Sequence, residues 1–335
     1  MLLNSWSIAL LLCGLIVLFL MGLAARSAIR VLLFWNPESD SNRQIRLENE
    51  IWLTSTLVEY ALGIQIISLI VFVLAANFYS QSIAGAMCAT GSLLANSFGV
   101  PALLVKIGGV FFYGFWIVLH QLDIHSEQYP LVRKKYLYLL FLIPLLILDL
   151  SLEILFITGL KPDIITSCCA VVFDDATGGG SNLIGGFSHG LSMELFYGTA
   201  GVLIGIGSFL LRQRQRWMVV LFSSGWLWFF LLALAVVTTE FSSYIYAMPF
   251  HKCPFCILKP EYHYIGFVMY FALFMGAFFG MSAAVIEPLR FVDGLESGVA
   301  GYQRSAVKFS LLFLVFFVLV SSYHYWRYIL IGGEG

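Results

Sequence analysis

The apolar residues of this chain fall into about eight runs, each near the roughly 20 residues that a helix needs to cross a hydrocarbon layer, with short polar breaks between them. The runs cover 7–33, 52–79, 100–120, 136–159, 191–211, 217–238, 264–286 and 308–328. Inside a bilayer no water satisfies the backbone, so runs of this length fold as helices. An all-α fold follows: a polytopic transmembrane helical bundle of about eight spans, forming a single integral membrane domain over residues 1–335. Composition agrees, because only 11% of residues are charged, where a soluble domain carries about 25%. The first run continues beyond the length of a signal-peptide core, and Met1 to Ser7 carry no Lys or Arg, so it reads as a retained helix.

Orientation is read from the basic residues. Arg26, Arg30, Arg43, Arg46, Arg133, Lys134, Lys135, Arg212, Arg214, Arg216, Arg290, Arg304 and Lys308 fall on one side of an eight-span path. Lys106, Lys161, Lys252, Lys259 and Arg327 fall on the other. The positive-inside rule then puts both termini outside the cytoplasm, together with the loops 80–99, 160–190 and 239–263. In a bacterial cell this describes an inner-membrane protein whose outer loops face the oxidising periplasm, where disulfides persist. A net charge of −1, with no basic cluster interleaved with aromatics, excludes a nucleic-acid partner.

Each of the three outer loops contains cysteine, and no inner loop does: Cys88, Cys168, Cys169, Cys253 and Cys256 lie outside, whereas Cys13 lies within the first apolar run. Cysteines gathered in one compartment point to thiol chemistry, structural disulfides or metal binding there. The sharpest motif is Cys253-Pro-Phe-Cys256, whose spacing lets two sulfurs close a small ring. Pro254 restricts that loop, and the start of a helix there would lower the pKa of a thiolate. The adjacent Cys168 and Cys169 close a ring only with strain, so partners in other loops are more favourable for them. They precede a Gly-rich stretch, Asp174 to Asn182, with the character of a flexible loop.

Cys88 followed by Ser92 and by Phe98-Gly99-Val100-Pro101 at the start of a span, with a later Cys-Pro-Phe-Cys at the outer edge of another, resembles the vitamin K epoxide reductase family and the analogous bacterial disulfide-generating quinone reductases. The resemblance covers about fifty residues and implies electron exchange between extracytoplasmic cysteines and a membrane quinone. It would make Cys253 and Cys256 the quinone-facing pair, Cys88 a shuttle cysteine, and Ser92 a neighbour of the quinone. The chain departs from the family in the single loop cysteine and in the roughly four spans between Cys88 and the Cys-Pro-Phe-Cys motif.

Two other readings stay open. His251, Cys253, Cys256 and His263 offer donors for a soft metal such as Cu or Zn, as in a metal-handling or cofactor-assembly membrane protein. Alternatively, the cysteines form structural disulfides in a non-catalytic subunit or scaffold of a larger membrane complex. Asp149 and Glu153 share one face of the fourth span, where charge is costly, and are candidate proton-relay residues. Partners implied by these readings are membrane lipid, an extracytoplasmic thiol protein and other membrane subunits.

Overall fold

The computed structural model describes residues 3–36, 41–126, 129–161, 166, 189–248 and 251–332. Among these residues there is no strand, and eight helices are long and apolar enough to cross a membrane. The protein is an all-α, polytopic membrane protein. Large apolar side chains such as Phe19 and Leu319 remain exposed on it and are suited to contact lipid.

The helices pack into two compact units. The first comprises Met1–Ile83, Ser92–Ile164 and Phe291–Gly298, and the second Ala84–Gly91, Ile165–Arg290 and Val299–Gly335.

The first unit contains the long helices α1 (Ser5–Phe34), α2 (Asn42–Tyr79), α4 (Gly99–Ile124) and α5 (Val132–Gly159); the one-and-a-half-turn helix α3 (Ala89–Leu94) straddles its boundary. The side chains of Asn4 and Ser41 cap α1 and α2 by accepting from the amides of Trp6 and Gln44, satisfying donors that the helix itself leaves free. Helix α1 packs on α2 and α5, and α4 packs on the same two helices. Their core includes Met21, Ala24 and Ala28 of α1, Val58 and Ala61 of α2, Trp116 of α4 and Leu139 of α5. Lipid tails are as apolar as these side chains, so close packing, permitted here by alanines, supplies the association that burial alone would not. At the α4–α5 turn, Asp123 accepts from the Leu131 amide at 2.8 Å and from Lys135 Nζ at 2.7 Å.

The second unit contains α6 (His189–Arg212), α7 (Arg216–Val236), a π-helical turn (Val237–Phe241), α8 (Ser242–Tyr246), α9 (Ile265–Val285) and, from Val299 on, α10 (Glu296–Ile331). Gly276 and Gly280, one turn apart on α9, let that helix close onto Trp226 of α7; a Cβ on Gly280 would lie 2.2 Å from the indole. This is a small-xxx-small contact of the kind that membrane helices use. Ser223 Oγ, also on α7, donates to the Gly280 carbonyl at 2.7 Å. Helices α9 and α10 are tied by Gln303, whose Nε2 donates to the Ala283 carbonyl and to Glu287 Oε2.

Candidate functional site

The π turn carries one more residue per turn than an α-helix, and it feeds α8, whose last residue is Tyr246. Ala247, which follows α8, adopts the left-handed conformation, and Cys253-Pro254-Phe255-Cys256 begins six residues later. Two tyrosine hydroxyls fix this loop. Tyr246 donates to the Cys253 carbonyl at 2.5 Å, and Tyr270 of α9 donates to the next carbonyl, Pro254, at 2.7 Å. Cys256 opens a three-residue 3₁₀ turn, Cys256–Leu258, which is followed by a second, Pro260–Tyr262. The loop is pressed onto the start of α9, because a Cβ on Gly266 would meet the Ile257 backbone at 2.9 Å.

The segment Ala84–Gly91 belongs to this same unit and brings Cys88 to the loop. Lys259 Nζ donates to the Met87 carbonyl at 2.9 Å. Gly85 sits at φ +81, in the left-handed region, and a Cβ there would lie 2.5 Å from the Thr166 carbonyl oxygen; Thr166 in turn donates its amide to Ala84. Glycine meets both demands. Cys88 Sγ then lies 3.4 Å from Cys253 Sγ, and the Thr90 hydroxyl lies 3.5 Å from the same sulfur. The sulfurs of Cys88, Cys253 and Cys256 are all within 4.8 Å of one another and are the one group of potential metal ligands among the described residues. All three side chains are buried, at 0%, 0% and 5% exposure.

Hydrogen bonding to Cys253 and then to Cys88, followed by burial, pushes the Cys256 thiol well above its ordinary pKa. The lowered pKa anticipated from a helix N-terminus is not found at this residue. Its segment forms a single 3₁₀ turn, and α9 begins only at Ile265, too far along the chain for its dipole to act within the first turn. Three thiols packed together away from water cannot all ionise, and Cys256 is one that keeps its proton.

Other sequence-derived candidates are placed differently. Cys168 and Cys169, and the Gly-rich stretch after them, lie outside the described residues. His251 packs its ring on Tyr246, with centroids 4.7 Å apart, and His263 is exposed in the left-handed conformation; neither joins the group of three sulfurs. Ser92 is fully buried within α3, and its hydroxyl has no hydrogen-bond partner among the described residues.

In the first unit, Asp149 and Glu153 are brought together by Lys106 of α4. Lys106 Nζ is 2.7 Å from Glu153 Oε2 and 3.2 Å from Asp149 Oδ2, with Ser68 Oγ at 3.4 Å. The Gln65 amide also donates to Asp149 Oδ2.

Sequence reasoning missed Lys106 as a partner of the acidic pair, and Thr90, Tyr246 and Tyr270 as neighbours of the thiols. Lys106 lies seven residues into an apolar helix, and its cost there is the signal that points to a buried counter-charge. No local pattern marks the tyrosines. A comparison of the chain with protein families, curated proteins and solved structures finds no match.

Proposed function

We propose that this is a membrane-embedded thiol–disulfide oxidoreductase whose working sulfurs are Cys88, Cys253 and Cys256. The observation that carries the reading is the approach of Cys88 to the Cys-Pro-Phe-Cys pair, across 165 residues of sequence, to a sulfur–sulfur distance of 3.4 Å. Disulfide exchange requires a third sulfur to reach one member of an existing disulfide, and a cluster of three supplies it. Cys253 has neighbours that can stabilise a thiolate: the Cys88 thiol and the Thr90 hydroxyl lie 3.4 Å and 3.5 Å from its sulfur, and Cys256, which holds its proton, hydrogen-bonds to it as well.

In this scheme Cys253 forms a disulfide with Cys88 or Cys256, releasing two protons and two electrons. A membrane quinone takes up both to become a quinol. An extracytoplasmic dithiol protein then reduces the disulfide by exchange, becoming oxidised itself, and a mixed disulfide is the intermediate. The loops carrying the three cysteines face the bacterial periplasm in this reading, which rests on the distribution of Lys and Arg. Purified protein supplied with a dithiol and a soluble quinone analogue tests it. Quinol formation is expected with the native chain and is expected to fall to background with Cys253→Ala. Equal rates for the two would remove the enzymatic reading.

One observation favours a second reading. Three thiolates around a metal at about 2.3 Å stand roughly 4 Å from one another, a spacing that fits the 4.8 Å envelope of this cluster. A soft cation such as Cu(I) or Zn(II) suits that donor set, with Cys88 as third ligand in place of either histidine. Stoichiometric metal in the purified protein, lost with Cys88→Ser and accompanied by no quinone reduction, would select this reading over the first.

A further inference from the structure

The Lys106 cluster of the first unit has an imbalance of charge that its own side chains do not resolve. Lys106 contributes one positive charge and Asp149 and Glu153 two negative charges, all on side chains no more than 3% exposed and all within membrane-spanning helices. Two other cations of the unit are paired elsewhere: Lys135 with Asp123, and Arg30 with Glu50. The titratable groups that face the cluster are Tyr113 of α4, electrostatically coupled to Asp149, and Tyr79 of α2, coupled to Glu153 and bonded to Ser7 of α1. Both are neutral as phenols. Among the described residues no second cation pairs with Asp149 or Glu153, so a charge of −1 remains, and an uncompensated ion in the apolar layer is strongly disfavoured.

A second observation is independent of charge. Each carboxyl group uses one oxygen on Lys106 and leaves the other without a hydrogen-bond partner: Asp149 Oδ1 and Glu153 Oε1 are both buried and unpaired, as are Gln65 Oε1 and the Tyr113 hydroxyl. A carboxylate oxygen in that condition is a place for a proton.

We propose that Lys106, Asp149 and Glu153 form an intramembrane proton-binding site that carries one exchangeable proton, on Asp149 Oδ1 or Glu153 Oε1. Binding transfers a proton from water to a carboxylate and takes the cluster from −1 to zero, the state suited to the interior of a bilayer. Lys106 holds the remaining carboxylate as an ion pair, so the site loads a single proton rather than two. This inference does not rest on the thiol chemistry and stands or falls separately from it.

The charge count gives a test that needs no turnover. Infrared spectroscopy of the full-length protein in lipid nanodiscs reports protonated carboxyl groups by their C=O stretch. One protonated carboxyl is expected at neutral pH in the native chain. None is expected from this cluster in Asp149→Asn or in Glu153→Gln, where the surviving carboxylate pairs with Lys106. Two are expected in Lys106→Met, and if that variant does not fold, the native chain and the two isosteric variants decide the matter. Absence of a protonated-carboxyl band that both isosteric variants abolish would overturn the proposal, and so would stabilisation of the native chain by sodium or potassium that those variants lose, because a metal cation would then occupy the place of the proton.

Discussion

Cys256 holds its proton because its thiol hydrogen-bonds to Cys253 and Cys88, which favours the neutral form, and because burial disfavours the charged one. The fold therefore favours the neutral thiol: its contribution to stability is fully present below about 8.5, the ordinary thiol value, and declines as pH rises above it. Alkylation of Cys256 in the reduced protein should accordingly be slow at neutral pH and accelerate only well above that value. Cys253→Ala removes the largest cause of the shift and should let Cys256 react at lower pH; an unchanged pH profile, followed by peptide mass spectrometry, would contradict the hydrogen-bonded cluster. The tyrosines act through the backbone. Tyr246→Phe leaves the buried Cys253 carbonyl without its donor and should destabilise the protein by about 1–3 kcal/mol while weakening thiol-dependent quinone reduction, measured by thermal unfolding and turnover together. These side chains could not be found from the sequence, because the π turn before Tyr246 and the left-handed Ala247 after it have no pattern at the level of residue type.

At the scale of the helices, the sequence is most informative where length alone decides the outcome. A run of about 20 apolar residues has one stable conformation in a bilayer, and the spans appear where the runs lie. The Cys-Pro-Phe-Cys segment was harder to read: a motif a few residues before a span resembles the opening of a helix, yet Cys256–Leu258 and Pro260–Tyr262 are separate turns. Pairing between helices was also hidden, since it depends on individual contacts. The α4–α5 turn depends on the Asp123–Lys135 pair, whose side chains are 0% and 1% exposed, so Asp123→Ala strands a buried cation and should cost about 3–5 kcal/mol. Arg30→Ala breaks a pair exposed by more than 30% on each side and should cost under ~1 kcal/mol. Thermal unfolding of the two variants in one detergent compares them; similar losses would contradict the role given to burial. Gly280→Val drives a side chain into the Trp226 ring and should prevent α7 and α9 from closing, which loss of folded protein on size-exclusion chromatography would register.

At the scale of the whole chain, the feature least legible in sequence is the membership of residues 84–91 in the second unit. The segment lies between the second and third spans, and nothing in it states that Cys88 meets Cys253, 165 residues later, and Cys256 beyond it. Cysteines recurring in three separate loops hint at a meeting without naming the members. The side proposed for those loops rests on Lys and Arg, and labelling tests it: Glu261→Cys, at an exposed position five residues after Cys256, should react with a membrane-impermeant maleimide in intact cells, whereas Asn42→Cys, at the exposed start of α2, should react only after permeabilisation. The reverse pattern would contradict the orientation. The central claim, that three distant cysteines make one exchange site, is tested most directly by non-reducing peptide mapping of the reduced protein after exposure to a quinone analogue and acid quenching. The account predicts a disulfide joining Cys253 to Cys88 or to Cys256, with the third thiol free. Persistence of Cys88, Cys253 and Cys256 as three thiols under those conditions would contradict it.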